Sequence, residues 1–117
     1  KMRSEHDNDK IYDCTGDILL GQKAPDGYQL RPHIVWFGEQ VPMIETAADI
    51  SALADIYVVI GTSLQVYPAA GLLHYVSPLA QKFIIDKNIP KIGGLTQVVC
   101  IEKSAVAGIE DLLKALM

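Results

Sequence analysis

Three short runs in this sequence carry side chains able to work on a ligand: Trp36-Phe37-Gly38-Glu39, Gly61-Thr62-Ser63 and Asp86. A glycine after a strand lets a ligand approach the backbone closely. The two hydroxyls beside it can donate to ribose or phosphate oxygens, and a following helix N-terminus favours negative charge. Gly61-Thr62-Ser63 is therefore a candidate nucleotide site, although a tight turn with a hydroxyl cap accounts for the same residues. Asp86 closes an apolar run and can accept from ribose hydroxyls, as acidic residues at strand ends do in dinucleotide folds; an aspartate exposed in a turn is the plainer account. Trp36 and Phe37 precede a glycine that frees the backbone to pair with an extended peptide, while two aromatics buried in a core strand would look the same. The histidines His6, His33 and His74 stand too far apart to build a nucleophile and base pair from spacing, and no triad is assigned. No G-x-G-x-x-G is present.

These residues need elements to hold them. Residues 1 to 30 are polar and turn-rich, with Asp7-Asn8-Asp9, Thr15-Gly16-Asp17 and Pro25-Asp26-Gly27 as turn signals, and read as loops and short hairpin strands. From Leu30 the pattern changes. His33 to Phe37 is β-branched and aromatic and reads as a strand after a turn at Arg31-Pro32. Met43, Ala47, Ile50 and Ala54 recur at helical spacing behind Pro42, predicting a helix near 43 to 54. Ile56 to Ile60 is apolar on both faces, as a central parallel strand covered on each side would be. Pro68 opens a helical stripe through Ala69, Leu72, Leu73 and Val76; Phe83 to Asp86 and Gln97 to Ile101 read as further strands. Ala105, Ile109, Leu112, Leu113 and Leu116 line a terminal helix. Strands alternating with helices imply a doubly wound α/β layer around a parallel sheet with right-handed crossovers. Ligands in such sheets bind outside the carboxyl ends of the strands, where Gly61 and Asp86 fall.

With 117 residues, half of them hydrophobic, the chain can bury a core and forms one domain or a large piece of one. A net charge of -4 with scattered lysines and arginines offers nucleic acid no footprint. The longest uninterrupted apolar run, Ile56 to Ile60, is too short for a membrane span, so neither nucleic acid nor membrane is an expected partner. Cys14 and Cys100 supply neither a disulfide framework nor metal-ligand spacing, and a cytoplasmic setting is expected. The opening Lys1-Met2, without an initiating methionine, suggests an excised piece of a longer chain.

Read together, Leu30 to Glu39 (LRPHIVWFGE) and Gly61 to Ala70 (GTSLQVYPAA) resemble two successive signatures of the sirtuin family, in the family's order and separation. The resemblance covers residues 28 to 117 well and the first stretch weakly. It implies NAD-dependent removal of acyl groups from protein lysine side chains, releasing nicotinamide and O-acyl-ADP-ribose. The fold implied is the C-terminal half of a Rossmann-like, DHS-type NAD-binding domain over 31–117, preceded at 1–30 by the remnant of a small module. By the resemblance, Gly61, Thr62 and Ser63 contact the phosphate and ribose part of NAD. Asp86 and Lys87 stand at the adenine ribose, with aspartate where many relatives have asparagine, and Ser104, Ala105 and Val106 pack against adenine. Val35, Trp36 and Phe37 match residues lining the acyl-lysine channel. Gly38 and Glu39 match one backbone rail for the peptide, and Val66 and Tyr67 match the other.

Two departures are visible. Sirtuins commonly carry two Cys-x-x-Cys pairs holding zinc just before the Arg-Pro segment; here residues 1 to 30 contain Cys14 alone, and tetrahedral zinc needs four ligands, so no zinc is expected. The glycine-rich NAD loop and the catalytic His-Gly dipeptide are absent, and the base is expected upstream of Lys1, leaving this piece without useful turnover. A non-catalytic NAD or ADP-ribose binding module is the alternative from another class. A domain of a thiamine-diphosphate enzyme or electron-transfer flavoprotein shares the sheet but not the LRPHIVWFGE stretch. Half a doubly wound sheet leaves apolar surface open, so self-association of the piece is expected.

Overall fold

The structure is a computed structural model that describes residues 1–117. The chain divides into two compact units, Lys1–Gln40 and Val41–Met117.

The first unit is a small antiparallel sheet in the order β2-β1-β3, made of β1 (Met2–Ser4), β2 (Ile11–Tyr12) and β3 (Leu30–Pro32). Arg3 lies opposite Ile11 on one side and Arg31 on the other. Few apolar side chains are buried here, Ala24 and Leu30 among them, so backbone pairing and polar contacts hold the unit. Pro25-Asp26-Gly27 makes the turn its composition predicts: Gly27 has φ +85°, and the Ala24 N–H donates to the Tyr28 carbonyl at 2.8 Å. Lys10 Nζ lies 3.4 Å from Asp7 and 3.7 Å from Asp26, and the His6 and Tyr28 rings stack 4.2 Å apart.

The expected strand over His33 to Phe37 is not formed. Pairing stops at Pro32, after which the His33 N–H donates to the Lys1 carbonyl at 3.2 Å and the chain turns, Ile34 N–H donating to Pro32 at 2.9 Å. β-branched and aromatic residues favour a strand only where a neighbouring strand is available, and none lies beside these five. Glu39 then closes a second turn, its N–H donating to the Trp36 carbonyl at 3.1 Å, with Gly38 at φ +84°.

The second unit is the α/β layer. Helix α1 (Ile44–Ala52) leads into β4 (Ile56–Ile60), a 3₁₀ helix (Ala69–His74), β5 (Gln81–Asp86), β6 (Val98–Glu102) and helix α2 (Ala105–Leu116). The three strands pair in parallel in the order β4-β5-β6, with Val58 opposite Phe83 and Phe83 opposite Val99. β5, not β4, is therefore central, and its Lys82 to Ile85 are all buried. Within this chain β4 is an edge strand, and its Ile56 and Ile60 are exposed because no further strand of the chain pairs with its free side. The stripe after Pro68 winds as a tighter 3₁₀ helix that ends at His74, with Ala70 and Leu73 inward.

Alternation along β5 sends Phe83 and Ile85 to one face, where they pack with Ile101 and Leu112, and Ile84 to the other, with Val59 and Leu73. Each such buried side chain contributes about 1.5–3 kcal/mol. α2 docks through Gly108 and Leu112; Ile109, Leu113 and Leu116, expected on its packed face, remain at least partly exposed. No helix is long and apolar enough to cross a membrane.

Candidate functional site

The carboxyl ends of β4, β5 and β6 open into one recess of about 260 Å³. Gly61, Asp86, Lys87, Ser104 and Ala105 line it, together with Ile85, Asn88 and Lys103. Gly61 extends the ladder, its N–H donating to the Ile85 carbonyl at 2.9 Å, and then turns with φ +66°. A Cβ at Gly61 would meet no atom within 4 Å, so the glycine faces open space, and its positive φ sets the turn that L side chains rarely adopt.

Asp86 Oδ1 accepts from the Asn88 N–H at 2.9 Å, which fixes the carboxylate at the lip of the recess. Ser104 caps α2: its backbone is extended, and its hydroxyl accepts from the Ala107 N–H at 3.4 Å. The positive end of the α2 dipole and the Lys87 ammonium thus stand beside a carboxylate and the small apolar face of Ala105. Lys103 pairs with Asp111 at 2.6 Å, and its hydrogen bond and charge hold the Asp111 carboxyl below the usual carboxylate range. This arrangement can accept hydroxyl donors at Asp86, favour anionic groups at the helix end and seat a flat ring against Ala105.

Other expected site residues fall elsewhere. Thr62 and Val66 line a separate recess, also of about 260 Å³, with Leu64 and Ala70. There the Thr62 hydroxyl accepts from the Leu64 N–H at 3.2 Å. Ser63 and Val106 line neither recess, and Val106 is largely exposed. Tyr67 lies between α1 and the 3₁₀ helix. Asn88 and Lys103 were missed. Lys103 adjoins the expected Ser104 at the helix start, which is the one signal that could have placed it near the recess.

In the first unit, Val35, Trp36 and Phe37 are exposed, and Trp36 opens the turn that Glu39 closes. Glu39 gathers three donors: Arg31 Nη1 at 2.5 Å, the Trp36 N–H at 3.0 Å and Arg3 Nη2 at 3.4 Å. The Arg31 guanidinium also lies 5.7 Å from the Trp36 ring centroid. From the sequence Arg31 is expected in a turn and Arg3 carries no expected role; the two sit opposite each other on paired strands, a register that residue types do not reveal.

The Arg31 hydrogen bond, then the Trp36 N–H, hold the Glu39 carboxyl below its ordinary value of 4.5. A folded-state value below the unfolded one means that ionised Glu39 adds stability above pH 4.5, lost as pH falls through the lower folded value. The melting temperature should drop as pH falls below 4.5, and Glu39→Gln should flatten part of that slope. An unchanged slope in the variant would detach Glu39 from acid sensitivity. No group of three or more His, Cys, Asp or Glu side chains is arranged to hold a metal, and the Cys14 thiol donates to the Gly16 carbonyl at 3.1 Å.

Against known proteins, the profile of the Sir2 family matches residues 1–68. The chain is 50% identical over 101 residues to an NAD-dependent protein deacylase of Bacteroides thetaiotaomicron, covering 86% of this chain and 43% of that protein. It is 41% identical over 116 residues to an NAD-dependent protein deacylase of Helicobacter pylori, covering 99% of this chain and 51% of the relative. The chain thus spans about half the length of the curated relatives it matches. Among solved structures it is similar to a Sir2 protein with a p53 peptide and NAD+, at TM-score 0.65 and 25% identity, covering 76% of this chain and 38% of that one. A Sir2 protein bound to a propionylated peptide shares the fold at TM-score 0.68 and 24% identity, over 86% of this chain and 43% of that one. With the family profile matching more than half its residues, and with a Rossmann-like α/β layer of the Sir2 kind, this chain belongs to the Sir2 family.

Proposed function

We propose that this chain is the C-terminal part of an NAD-dependent protein-lysine deacylase, with residues 31–117 from its Rossmann-like domain and 1–30 from a small module without zinc. One observation carries the reading. Residues from three separate segments, Gly61, Asp86-Lys87 and Ser104-Ala105, which the sirtuin resemblance assigns to a single dinucleotide, line one recess at the carboxyl ends of parallel strands. The open space at Gly61, the fixed carboxylate of Asp86 and the helix end at Ser104 suit an ADP-ribose moiety.

On this reading Asp86 accepts from ribose hydroxyls, Ala105 packs against adenine with Ser104 and Val106 beside it, and Gly61-Thr62-Ser63 approaches phosphate and ribose. NAD, when bound, supplies the ADP-ribosyl group that receives the acyl group. Val35, Trp36 and Phe37 serve the acyl-lysine, and Gly38, Glu39, Val66 and Tyr67 offer backbone to a substrate peptide. The general base on the ribose hydroxyl lies outside these residues; the recess is lined by no histidine. An edge strand apolar on both faces, as β4 is, suits a larger sheet of which this is the C-terminal portion.

The test is nicotinamide release from an acetyl-lysine peptide by the native gene product, with and without NAD, beside this chain alone. Turnover is expected for the native product and not for the chain. Asp86→Ala should raise the KM for NAD about tenfold or more, the loss of a hydrogen bond to a charged group being about 1.5–3 kcal/mol. Nucleotide binding without release of nicotinamide by the native product would point to a binding module instead.

A further inference from the structure

We infer that the groove between α1 and the 3₁₀ helix is a subsite for a lysine or arginine side chain of the substrate peptide, flanking the acylated lysine; this rests on the deacylase reading above. The groove, about 550 Å³, belongs wholly to the second unit. Glu45 and Asp49 stand along one wall, four residues apart and hence on one face of α1. Tyr67 and Tyr75 also line it, with Pro68 and Leu72 as apolar surface. The Tyr67 ring lies across Gly71, where a Cβ would stand 3.7 Å from its Cε1 atom.

Three features identify a cationic, long-stemmed occupant. First, neither carboxylate has an ion-pair or hydrogen-bonding partner, no lysine or arginine lines the groove, and α1 itself carries none. Second, like charges at this helical spacing repel each other, and a cation set between them relieves the repulsion. Third, two aromatic rings and the Pro68-Leu72 surface suit an aliphatic stem that ends in a charge able to lie over a ring. A neutral apolar side chain would leave both carboxylates facing it, and an acidic one would be repelled. Tyr67 belongs both to this groove and to the backbone assigned to the peptide, so a residue close to the acylated lysine is the one that reaches it.

Two acetyl-lysine peptides test this on the native gene product, one with arginine at the flanking positions and one with citrulline, which keeps the shape and removes the charge. Fluorescence anisotropy reads binding, and nicotinamide release reads turnover. The arginine peptide should bind about tenfold more tightly, with the difference in KM rather than kcat and shrinking at high salt. In Glu45→Gln/Asp49→Asn the tenfold ratio should fall towards one. In Glu45→Lys/Asp49→Lys, checked for folding by its melting curve, preference should invert towards a glutamate-flanked peptide. Equal binding of both peptides, or a ratio unchanged in the neutral variant, overturns the subsite. If no peptide is turned over, the deacylase reading fails; anisotropy then still decides the groove, by whether arginine binding disappears in the neutral variant.

Discussion

Gly108→Ala should destabilise the protein by about 1–3 kcal/mol, the usual range for overpacking, although alanine is the better helix former. A Cβ at Gly108 would come within 2.2 Å of Ile85 Cγ2 and 3.4 Å of Ile101 Cγ2. The struck methyl sits on a β-branched side chain whose own Cβ is 3.5 Å away, so no flexible end is available to swing aside. The helix must back off the sheet or Ile85 must leave its rotamer, and either cost exceeds the helix-propensity gain of about 1 kcal/mol. Urea unfolding measures the effect, with Gly93→Ala as control, since a Cβ there meets nothing within 4 Å and should change stability by no more than about 0.5 kcal/mol. A shifted α2 also carries Ser104 and Ala105 away from the recess, so on the proposed reading of that recess NAD affinity of the native gene product should fall with stability. Equal stability of the two variants would mean that α2 does not pack on β5 through this glycine.

Lys82→Ala is expected to cost about 3 kcal/mol or more, since each buried polar group left without a partner costs about 1–3 kcal/mol. Lys82 is buried at the start of β5, and its ammonium donates to the carbonyls of Ala80 at 2.9 Å, Ser77 at 2.8 Å and Thr96 at 3.4 Å. It ties the chain entering β5 to the loop entering β6, where the Thr96 hydroxyl also donates to Pro78 at 3.2 Å. The side chain meets carbonyl oxygens and no carboxylate, so its removal strands acceptors rather than an opposite charge. Lys82→Met separates the two contributions: it restores the buried stem but none of the three hydrogen bonds, and should recover only the packing share. Unfolding free energies from urea titration within about 0.5 kcal/mol of the parent for both variants would show that water replaces the ammonium.

Neither of these residues stood out in the sequence, and the reasons differ. The value of Gly108 lies in the missing Cβ, and only the position of Ile85 reveals it. Lys82 is a charged residue just before an apolar run, and only the three carbonyls around its ammonium reveal why it is buried. What was legible depended on local period and punctuation: α1, β5, β6 and α2 fall where spacing and prolines put them. Gly61 and Asp86 fall at the strand ends where a parallel sheet leaves its ligands. What was not legible depended on neighbours. His33 to Phe37 has strand composition but no strand beside it, β4 has a central strand's composition at an edge, and the outer apolar residues of α2 find no cover within the chain.

On the proposed reading of Gly38 and Glu39 as backbone for a substrate peptide, the three donors converging on Glu39 bear on how fast that peptide leaves. A loop that sways must be stilled whenever something settles on it, and that ordering is returned on release, which shortens residence. Residues 36 to 39 are cinched by their own carboxylate to two guanidinium groups and a main-chain amide, so this stretch arrives already still. Loosening the cinch should therefore hasten departure far more than it slows arrival.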